Sequence, residues 1–208
     1  MKKTKEIILD TSLSLFNSIG LAKVTLRTIA QKMEISQGNL NYHFKKREDI
    51  IEALYFQLVG NIDKSMANNT QFQNPFELLA NISKTLMTNF YEYRFFLLDF
   101  AQIMRENEKI KGHYMELSKQ RETQFSVLFE SLVKQGLMRE EILPDEYKNL
   151  YKRIQILGDF WISDAEILNS KITKKSISTY GVILSQAIFP YLTVKGQKEF
   201  TAAIGEVF

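Results

Sequence analysis

Apolar side chains recur at intervals of three and four residues along most of this chain, and this spacing limits the fold more than any other feature of the sequence. Near the start it places Leu9, Leu13 and Phe16 on one face of a helix. Only 3 prolines and 9 glycines interrupt the 208 residues, and no convincing run alternates apolar and polar residues as a half-buried strand does. The sequence therefore predicts an all-α protein.

Composition argues against several classes of protein. The chain has 0 cysteines and 2 histidines, so neither a disulfide framework nor a metal site is expected. No glycine-rich phosphate loop or Gly-x-Ser-x-Gly elbow is present, and we expect no cofactor and no enzymatic activity. No uncharged apolar run approaches the roughly 18 residues of a membrane span. Glu6 and Asp10 interrupt the apolar start, which disfavours a signal peptide, and we expect a cytoplasmic protein.

Charge is concentrated at the amino-terminal end. Residues 1 to 47 carry nine basic side chains against three acidic ones, a net charge of +6, whereas the whole chain carries only +3. A basic unit on a slightly acidic body is typical of a protein whose first part binds phosphates, although chance clustering remains an alternative.

Two short capped helices are predicted within this basic unit. A first helix is expected from Lys5 to Ile19, with Gly20 ending it. Thr25 is a good amino-terminal cap for a second helix, and Ser36 caps a third.

The third helix presents an uncharged polar face. At 100° per residue, Leu40 and Phe44 share its inner side. The outward residues are Gly38, Asn39, Asn41 and Tyr42. Asparagine and glutamine amides can form bidentate hydrogen bonds with adenine in the major groove, and a glycine lets the backbone approach DNA closely. The pattern therefore favours a DNA-reading helix. The alternatives are that Gly38 is merely tolerated in a helical turn, that His43 packs in the core, and that Asn39 and Asn41 belong to an ordinary solvated surface.

Three segments of this unit together resemble the amino-terminal signature of the TetR family of bacterial transcriptional regulators: TLRTIA at residues 25–30, ISQGNLNYHF at 35–44 and REDII at 47–51. The resemblance covers about a quarter of the chain. It implies a helix-turn-helix domain at residues 1–52, followed by a larger helical ligand-binding and dimerisation domain at residues 53–208.

The resemblance also implies roles for individual residues. Base contacts are implied for Arg27, Gln37, Gly38, Asn39 and Asn41. Phosphate contacts are implied for Thr25, Tyr42, His43 and Arg47, with support from Lys45 and Lys46. This chain departs from the family pattern at three positions: Glu34 replaces a turn glycine, Asn41 replaces a frequent tyrosine, and Arg47 replaces a lysine.

Further helices are predicted in the remainder of the chain. The segment from Ile50 to Ile62 reads as one helix running out of the basic unit, with its end expected at residues 68–70. Asn74 and Pro75 signal the start of the next helix, and a long helix is expected from about Glu108 to Gln135.

Six of the eleven residues from Phe90 to Phe100 are aromatic. Such crowding indicates either ordinary core or the wall of a cavity for an apolar or amphipathic ligand. The candidate ligand residues are Phe90, Tyr93, Phe96, Phe100, Met104, Tyr114, Phe125 and Trp161.

Two consecutive apolar seams near the carboxyl end are suited to a four-helix bundle across a two-fold axis, with packing inside one subunit as the alternative. Gly158 and Gly181 would allow close approach. The candidate dimer residues are Ile154, Leu157, Trp161, Tyr180, Leu184, Ala187, Ile188 and Tyr191.

Together these features predict a homodimer that places two reading helices in successive major grooves of a palindromic operator on double-stranded DNA, about 34 Å apart. A small-molecule effector entering the body would change that spacing and release the DNA, so that the protein acts as a repressor. The alternatives are a DNA-binding protein that responds to no ligand and a helical module that binds another protein.

Overall fold

A computed structural model describes residues 4–67, 74–168 and 172–207. These residues form α-helices, two short 3-10 turns at Leu21–Lys23 and Phe189–Tyr191, and no strand. The helices are α1 (Thr4–Ile19), α2 (Leu26–Lys32), α3 (Gln37–His43), α4 (Arg47–Ala67), α5 (Pro75–Glu92), α6 (Arg94–Leu98), α7 (Phe100–Glu106), α8 (Glu108–Lys134), α9 (Glu146–Leu168), α10 (Lys174–Gln186) and α11 (Val194–Val207). The prediction of an all-α fold is confirmed.

The first three helices and the start of α4 enclose a small core. Ile8, Phe16, Ile29, Leu40 and Ile50 are each at most 1% exposed there. They come from α1, α2, α3 and α4, so each helix contributes one apolar face to the same interior. This unit is called the head below.

Both predicted caps of the head are present. The Thr25 side chain accepts a hydrogen bond from the backbone N–H of Thr28 at 3.2 Å, and Ser36 accepts one from Asn39 at 3.1 Å. Between them Glu34 is left-handed, with φ of 56°. The N–H groups of Glu34 and Ile35 return to the carbonyls of Gln31 and Ala30, which is the Schellman arrangement that ends a helix.

Helix α4 runs without interruption from the head into the body. It begins at Arg47 and continues to Ala67, so it contains the segment from Ile50 to Ile62 that was predicted as one helix. Its amino-terminal half packs in the head, whereas Tyr55, Leu58 and Ile62 are buried farther along. The predicted end at residues 68–70 lies outside the described residues.

The body is built around α5, which packs against α4, α9, α10 and α11. Asn74 caps α5 by accepting a hydrogen bond from Phe76 at 2.8 Å, as predicted. Helix α8 ends next to Gly136, whose φ is 68°. The predicted helix from Glu108 to Gln135 therefore matches the observed one to within one residue.

The carboxyl-terminal region differs from the prediction. The apolar seam predicted to run to Tyr191 leaves the helix after Gln186, because a turn and the 3-10 segment containing Pro190 follow. A further helix, α11, was not predicted. Its Gly196 lies so close to Leu137 that a Cβ at this position would stand 1.9 Å from the Leu137 carbonyl oxygen.

Candidate nucleic-acid interface and ligand cavity

Helix α3 turns its polar side chains outward. Leu40 is fully buried and Phe44, just after the helix, is 5% exposed, whereas Tyr42 is 85% exposed. The other residues predicted to point outward are exposed as well, namely Gly38, Asn39 and Asn41, and so is Gln37. The exposed face thus carries amides and a bare backbone, which suit contacts with base edges, and a phenol, which suits a contact with phosphate.

Cations surround this uncharged face. Arg27 on α2 is exposed, and Lys45 and Lys46 are exposed in the connection between α3 and α4. The backbone N–H of Lys46 donates to the Asp49 carboxylate at 2.9 Å, which holds this connection against the first turn of α4. Thr25 is exposed although its hydroxyl is used in the cap.

Arg47 is more constrained than a free phosphate-binding side chain. Its guanidinium donates to the Leu21 carbonyl at 3.2 Å and pairs with Glu48 at 3.3 Å. Arg47 therefore fastens the connection after α1 to the start of α4. His43 is half-buried and its ring meets that of Tyr42 edge-on.

A cavity of about 220 Å³ lies in the body. It is smaller than the roughly 300–1,000 Å³ of many ligand pockets, which favours a small ligand. Five of the eight predicted ligand residues line it, namely Phe90, Phe96, Phe100, Tyr114 and Phe125.

The other three predicted ligand residues lie outside the lining. Tyr93 is buried and accepts a hydrogen bond from the Asn61 amide at 3.1 Å. Trp161 is 2% exposed and packs on Tyr180, with ring centroids 5.2 Å apart. Met104 is half-buried and packs against the apolar core that contains Tyr93 and Trp161.

On the polar side of the cavity, sequence reasoning identified Tyr114 but missed Asp159, Gln155 and Ser118. Tyr114 donates a short hydrogen bond to Asp159, and the Gln155 amide donates to the Tyr114 and Ser118 hydroxyls, each at 2.8 Å. Burial raises the pKa of Asp159 to about 6. Burial, followed by the adjacent Asp159 charge, raises the pKa of Tyr114 as well.

A second polar pair links α4 to α8 beside the cavity. The Tyr55 hydroxyl and His113 Nδ1 are 2.8 Å apart, and the Tyr55 ring stacks on Phe96 with centroids 5.3 Å apart. Burial raises the pKa of Tyr55 to about 12, so this phenol stays neutral at physiological pH. His113 thus contacts a residue that lines the cavity.

Helix α6 joins the cavity to the head. Phe96 and Leu97 line the cavity, while the neighbouring Phe95 stacks on Phe16 of α1 with ring centroids 4.9 Å apart. The Asn17 side chain accepts a hydrogen bond from Phe95 N–H at 3.0 Å and donates to the Glu92 carbonyl at 2.7 Å. One short helix therefore touches both the cavity and α1.

The predicted dimer residues divide between the interior and the surface. Trp161, Leu184 and Ile188 are buried within the subunit, and Ile154, Leu184 and Ile188 line the cavity. The remaining members are half-buried: Leu157, Tyr180, Ala187 and Tyr191. Gly158 also lines the cavity, and Gly181 is buried.

A different set of residues forms the exposed apolar face of α9 and α10, called the outer stripe below. It consists of Ile156, Phe160, Ile167 and Ile183, which are 42–82% exposed. Three of the four follow one another along α9 at helical spacing.

Within the described ranges, no helix has the length and hydropathy needed to cross a membrane. Residues 4–67, 74–168 and 172–207 likewise contain no group of three or more histidine or acidic side chains placed to hold a metal ion.

Two family models match the chain. Residues 8–54 match the model described as bacterial regulatory proteins of the tetR family, and residues 57–200 match the TetR model described as a bacterial transcriptional repressor. The two matches meet within α4.

Individual proteins are also similar. A transcriptional regulator of the helix-turn-helix type from Bacillus subtilis, YerO, is 28% identical over 123 residues, covering 57% of this chain and 43% of that protein. The class D tetracycline repressor protein of Escherichia coli is 33% identical over 56 residues, covering 27% of this chain and 26% of the repressor. The matched segments span less than half the length of these curated relatives. A TetR-family regulator from Marinobacter aquaeolei VT8 superposes with a TM-score of 0.84 at 21% identity, and 99% of each chain is covered.

Proposed function

Since this chain belongs to the TetR family of bacterial transcriptional regulators, we propose that it is a cytoplasmic repressor that binds a palindromic operator as a homodimer and releases it when a small effector occupies the body. Members of the family are transcription factors rather than enzymes. We assign DNA binding to residues 1–52, and ligand binding and dimerisation to residues 53–208.

The exposed face of α3 is the observation that carries the DNA-binding proposal. Amide side chains at Gln37, Asn39 and Asn41 are exposed on a helix whose opposite side is sealed by Leu40. We assign base reading to these amides with Arg27 and the Gly38 backbone. Phosphate contacts are assigned to Thr25, Tyr42, His43, Lys45, Lys46 and Arg47.

Release by an effector would use the two elements that link the cavity to the head: α4, which runs into the head, and α6, which packs against α1. Helix α4 contributes Tyr55 and Leu58 to the lining, and α6 contributes Phe96 and Leu97. A ligand that fits only one arrangement of these helices favours that arrangement by its difference in affinity between the two states. Because α4 is continuous into the head, a small shift in the body moves the reading helix.

The outer stripe, which is exposed, is better placed to contact a second copy than the predicted residues that are buried. An exposed apolar face of this kind is suited to a second copy related by two-fold symmetry, since each copy then covers the other. Analytical ultracentrifugation of Phe160→Glu should show dissociation to monomers. Val127→Glu is the control, because Val127 is 62% exposed on α8 outside the stripe. If Phe160→Glu remained dimeric, the dimer interface would lie outside the outer stripe.

DNA binding is tested by fluorescence anisotropy on the duplex upstream of the protein's own gene and on a shuffled duplex of equal length. We expect a preference for the first, with log affinity falling linearly with log salt concentration. Equal affinity for both duplexes at low salt would contradict the proposal, and no salt-dependent binding would favour a protein-interaction module.

Ligand response requires its own test on the same duplex. A screen of small apolar and amphipathic compounds should yield at least one that lowers operator affinity in the wild type. A screen in which no compound changes the affinity would favour a ligand-independent DNA-binding protein.

A further inference from the structure

Among the residues that the structure describes, two charged ones line the cavity, namely Asp159 and Arg121. Arg121 is already occupied, since it donates to Asp63 at 3.2 Å and to Gln124 at 3.0 Å. Its side chain is 29% exposed, so this pair lies near solvent. The interior of the cavity therefore presents one carboxylate without a matched cation.

Among the described residues, the contacts of Asp159 neutralise it poorly. The Tyr114 hydroxyl donates to Oδ2, and no described side chain forms an ion pair with Asp159. Lys152, on the same helix, acts on the carboxyl only through its charge at longer range. Because burial penalises an ionised carboxylate, the group gains most from a cation that enters the cavity.

Aromatic rings surround the same region. The Tyr114 ring, whose hydroxyl bonds to Asp159, packs edge-on against Phe100 with centroids 5.1 Å apart. Phe100 in turn meets Phe96 at 5.9 Å. Aromatic faces attract cations, and the attraction grows when the cation is removed from water. Gly158, beside Asp159, leaves open space where a Cβ would stand.

We propose that the effector of this protein is a lipophilic cation, an apolar molecule carrying a quaternary or tertiary ammonium group that pairs with Asp159 against the rings of Phe100 and Tyr114. This proposal specifies the ligand class of the cavity and rests on the proposed function. An anionic ligand would face Asp159 repulsion and would have to displace Asp63 from Arg121. A neutral ligand would leave the carboxylate unpaired.

The experiment compares a cationic probe with its neutral isostere and with an anion. Isothermal titration calorimetry at pH 7.5 on the full chain compares phenyltrimethylammonium with tert-butylbenzene, in which a carbon replaces the charged nitrogen, and with benzoate. We expect the cation to bind at least about tenfold more tightly than the neutral probe.

Asp159→Asn keeps the size of the side chain and an oxygen for the Tyr114 hydrogen bond but removes the charge, so we expect the cation preference to fall by at least about tenfold. The matched control is Asp164→Asn. Asp164 lies on the same helix and also accepts a tyrosine hydroxyl, that of Tyr180 at 2.5 Å, but it does not line the cavity. This control should retain the wild-type preference, and the melting temperature of each variant reports whether it folds.

Each other outcome overturns the cation proposal in a distinct way. Equal affinity for the cation and its neutral isostere, unchanged in Asp159→Asn, would leave an apolar cavity without charge selection. Tighter binding of benzoate would point to Arg121 as the anchor. Binding of none of the probes would remove the cation proposal as well, while operator binding and release by other compounds, measured separately, would still decide the proposed function.

Discussion

The Asn17 side chain joins the head to the α5–α6 junction beside the cavity, and Asn17→Ala should weaken both the stability of the fold and the coupling between head and cavity. The amide forms hydrogen bonds of 2.7 Å with the Glu92 carbonyl and 3.0 Å with Phe95 N–H. Phe95 is followed by the cavity residues Phe96 and Leu97. The substitution therefore removes two hydrogen bonds between α1 and the α5–α6 junction without touching the DNA-reading face.

The expected loss follows from these two bonds. A hydrogen bond contributes about 0.5–1.5 kcal/mol net, so the free energy of unfolding should fall by about 2 kcal/mol. For a chain of this size, that corresponds to a decrease in melting temperature of about 4–8 °C. Asn81→Ala is the matched control, because the Asn81 amide donates only to Glu77 within α5. Urea denaturation should show a change below about 0.5 kcal/mol for this control.

Coupling is measured by hydrogen exchange with and without operator DNA. Because coupling between two sites is reciprocal, DNA that binds the head should change the exchange of α6 amides in the body. This change should shrink in Asn17→Ala and persist in Asn81→Ala. If Asn17→Ala lost stability but kept the full response of α6 to DNA, the path from head to cavity would not pass through this contact, and the reasoning would be refuted.

Three further changes test the fold. Gly196→Ala should lower the free energy of unfolding by at least about 2–3 kcal/mol, because the new Cβ meets backbone that cannot rotate away. Gly205→Ala has open space around it and should be neutral or slightly stabilising in urea denaturation. Similar effects of the two substitutions would contradict the close approach of Gly196 to Leu137. Glu34→Gly should raise the free energy of unfolding by about 0.5–1 kcal/mol, since glycine adopts the left-handed conformation of residue 34 without steric strain. A decrease would show that contacts of the Glu34 side chain stabilise the fold by more than this strain destabilises it. The hydrogen bonds from Arg139 hold the pKa of Glu146 at about 2, below its ordinary 4.5, so Glu146 stabilises the fold above pH 4.5 and loses this effect toward pH 2. Glu146→Gln should therefore be less stable than the wild type at pH 7, and the difference should shrink between pH 4.5 and 2; a constant difference would argue against the shifted titration.

The head could be predicted from sequence because its determinants are local. Thr25 and Ser36 cap helices three residues away from the groups that they bind, and the period of Leu40 and Phe44 follows from helix geometry alone. The left-handed turn at Glu34 was foreseen only because the family resemblance places a glycine there.

The cavity could be predicted only in part. Aromatic crowding identified Phe96 and Phe100, but it could not separate them from Tyr93, because the face of a short helix that borders open space depends on its partners. Asp159 carried no signal in a sequence with many carboxylates, and its importance comes from burial beside Tyr114.

The errors at the carboxyl end have two origins. Pro190 was a visible helix breaker that the apolar seam outweighed, so the end of α10 could have been placed before it. Phe200, Ala203 and Ile204 recur at helical spacing, which is a signal in the sequence for α11. Trp161 is buried within the subunit, and sequence alone does not distinguish such a side chain from one buried between two subunits.

Selection of bound duplexes from a random pool tests most directly whether α3 reads bases. The wild type should enrich a two-fold symmetric motif whose half-sites lie about one helical turn apart, or a multiple of it. Asn41→Ala should lose preference at one base pair of each half-site, at a cost of about 1–3 kcal/mol, and keep the rest of the motif. No enriched motif in the wild type, or an unchanged motif in Asn41→Ala and in the corresponding Gln37 and Asn39 variants, would contradict the account.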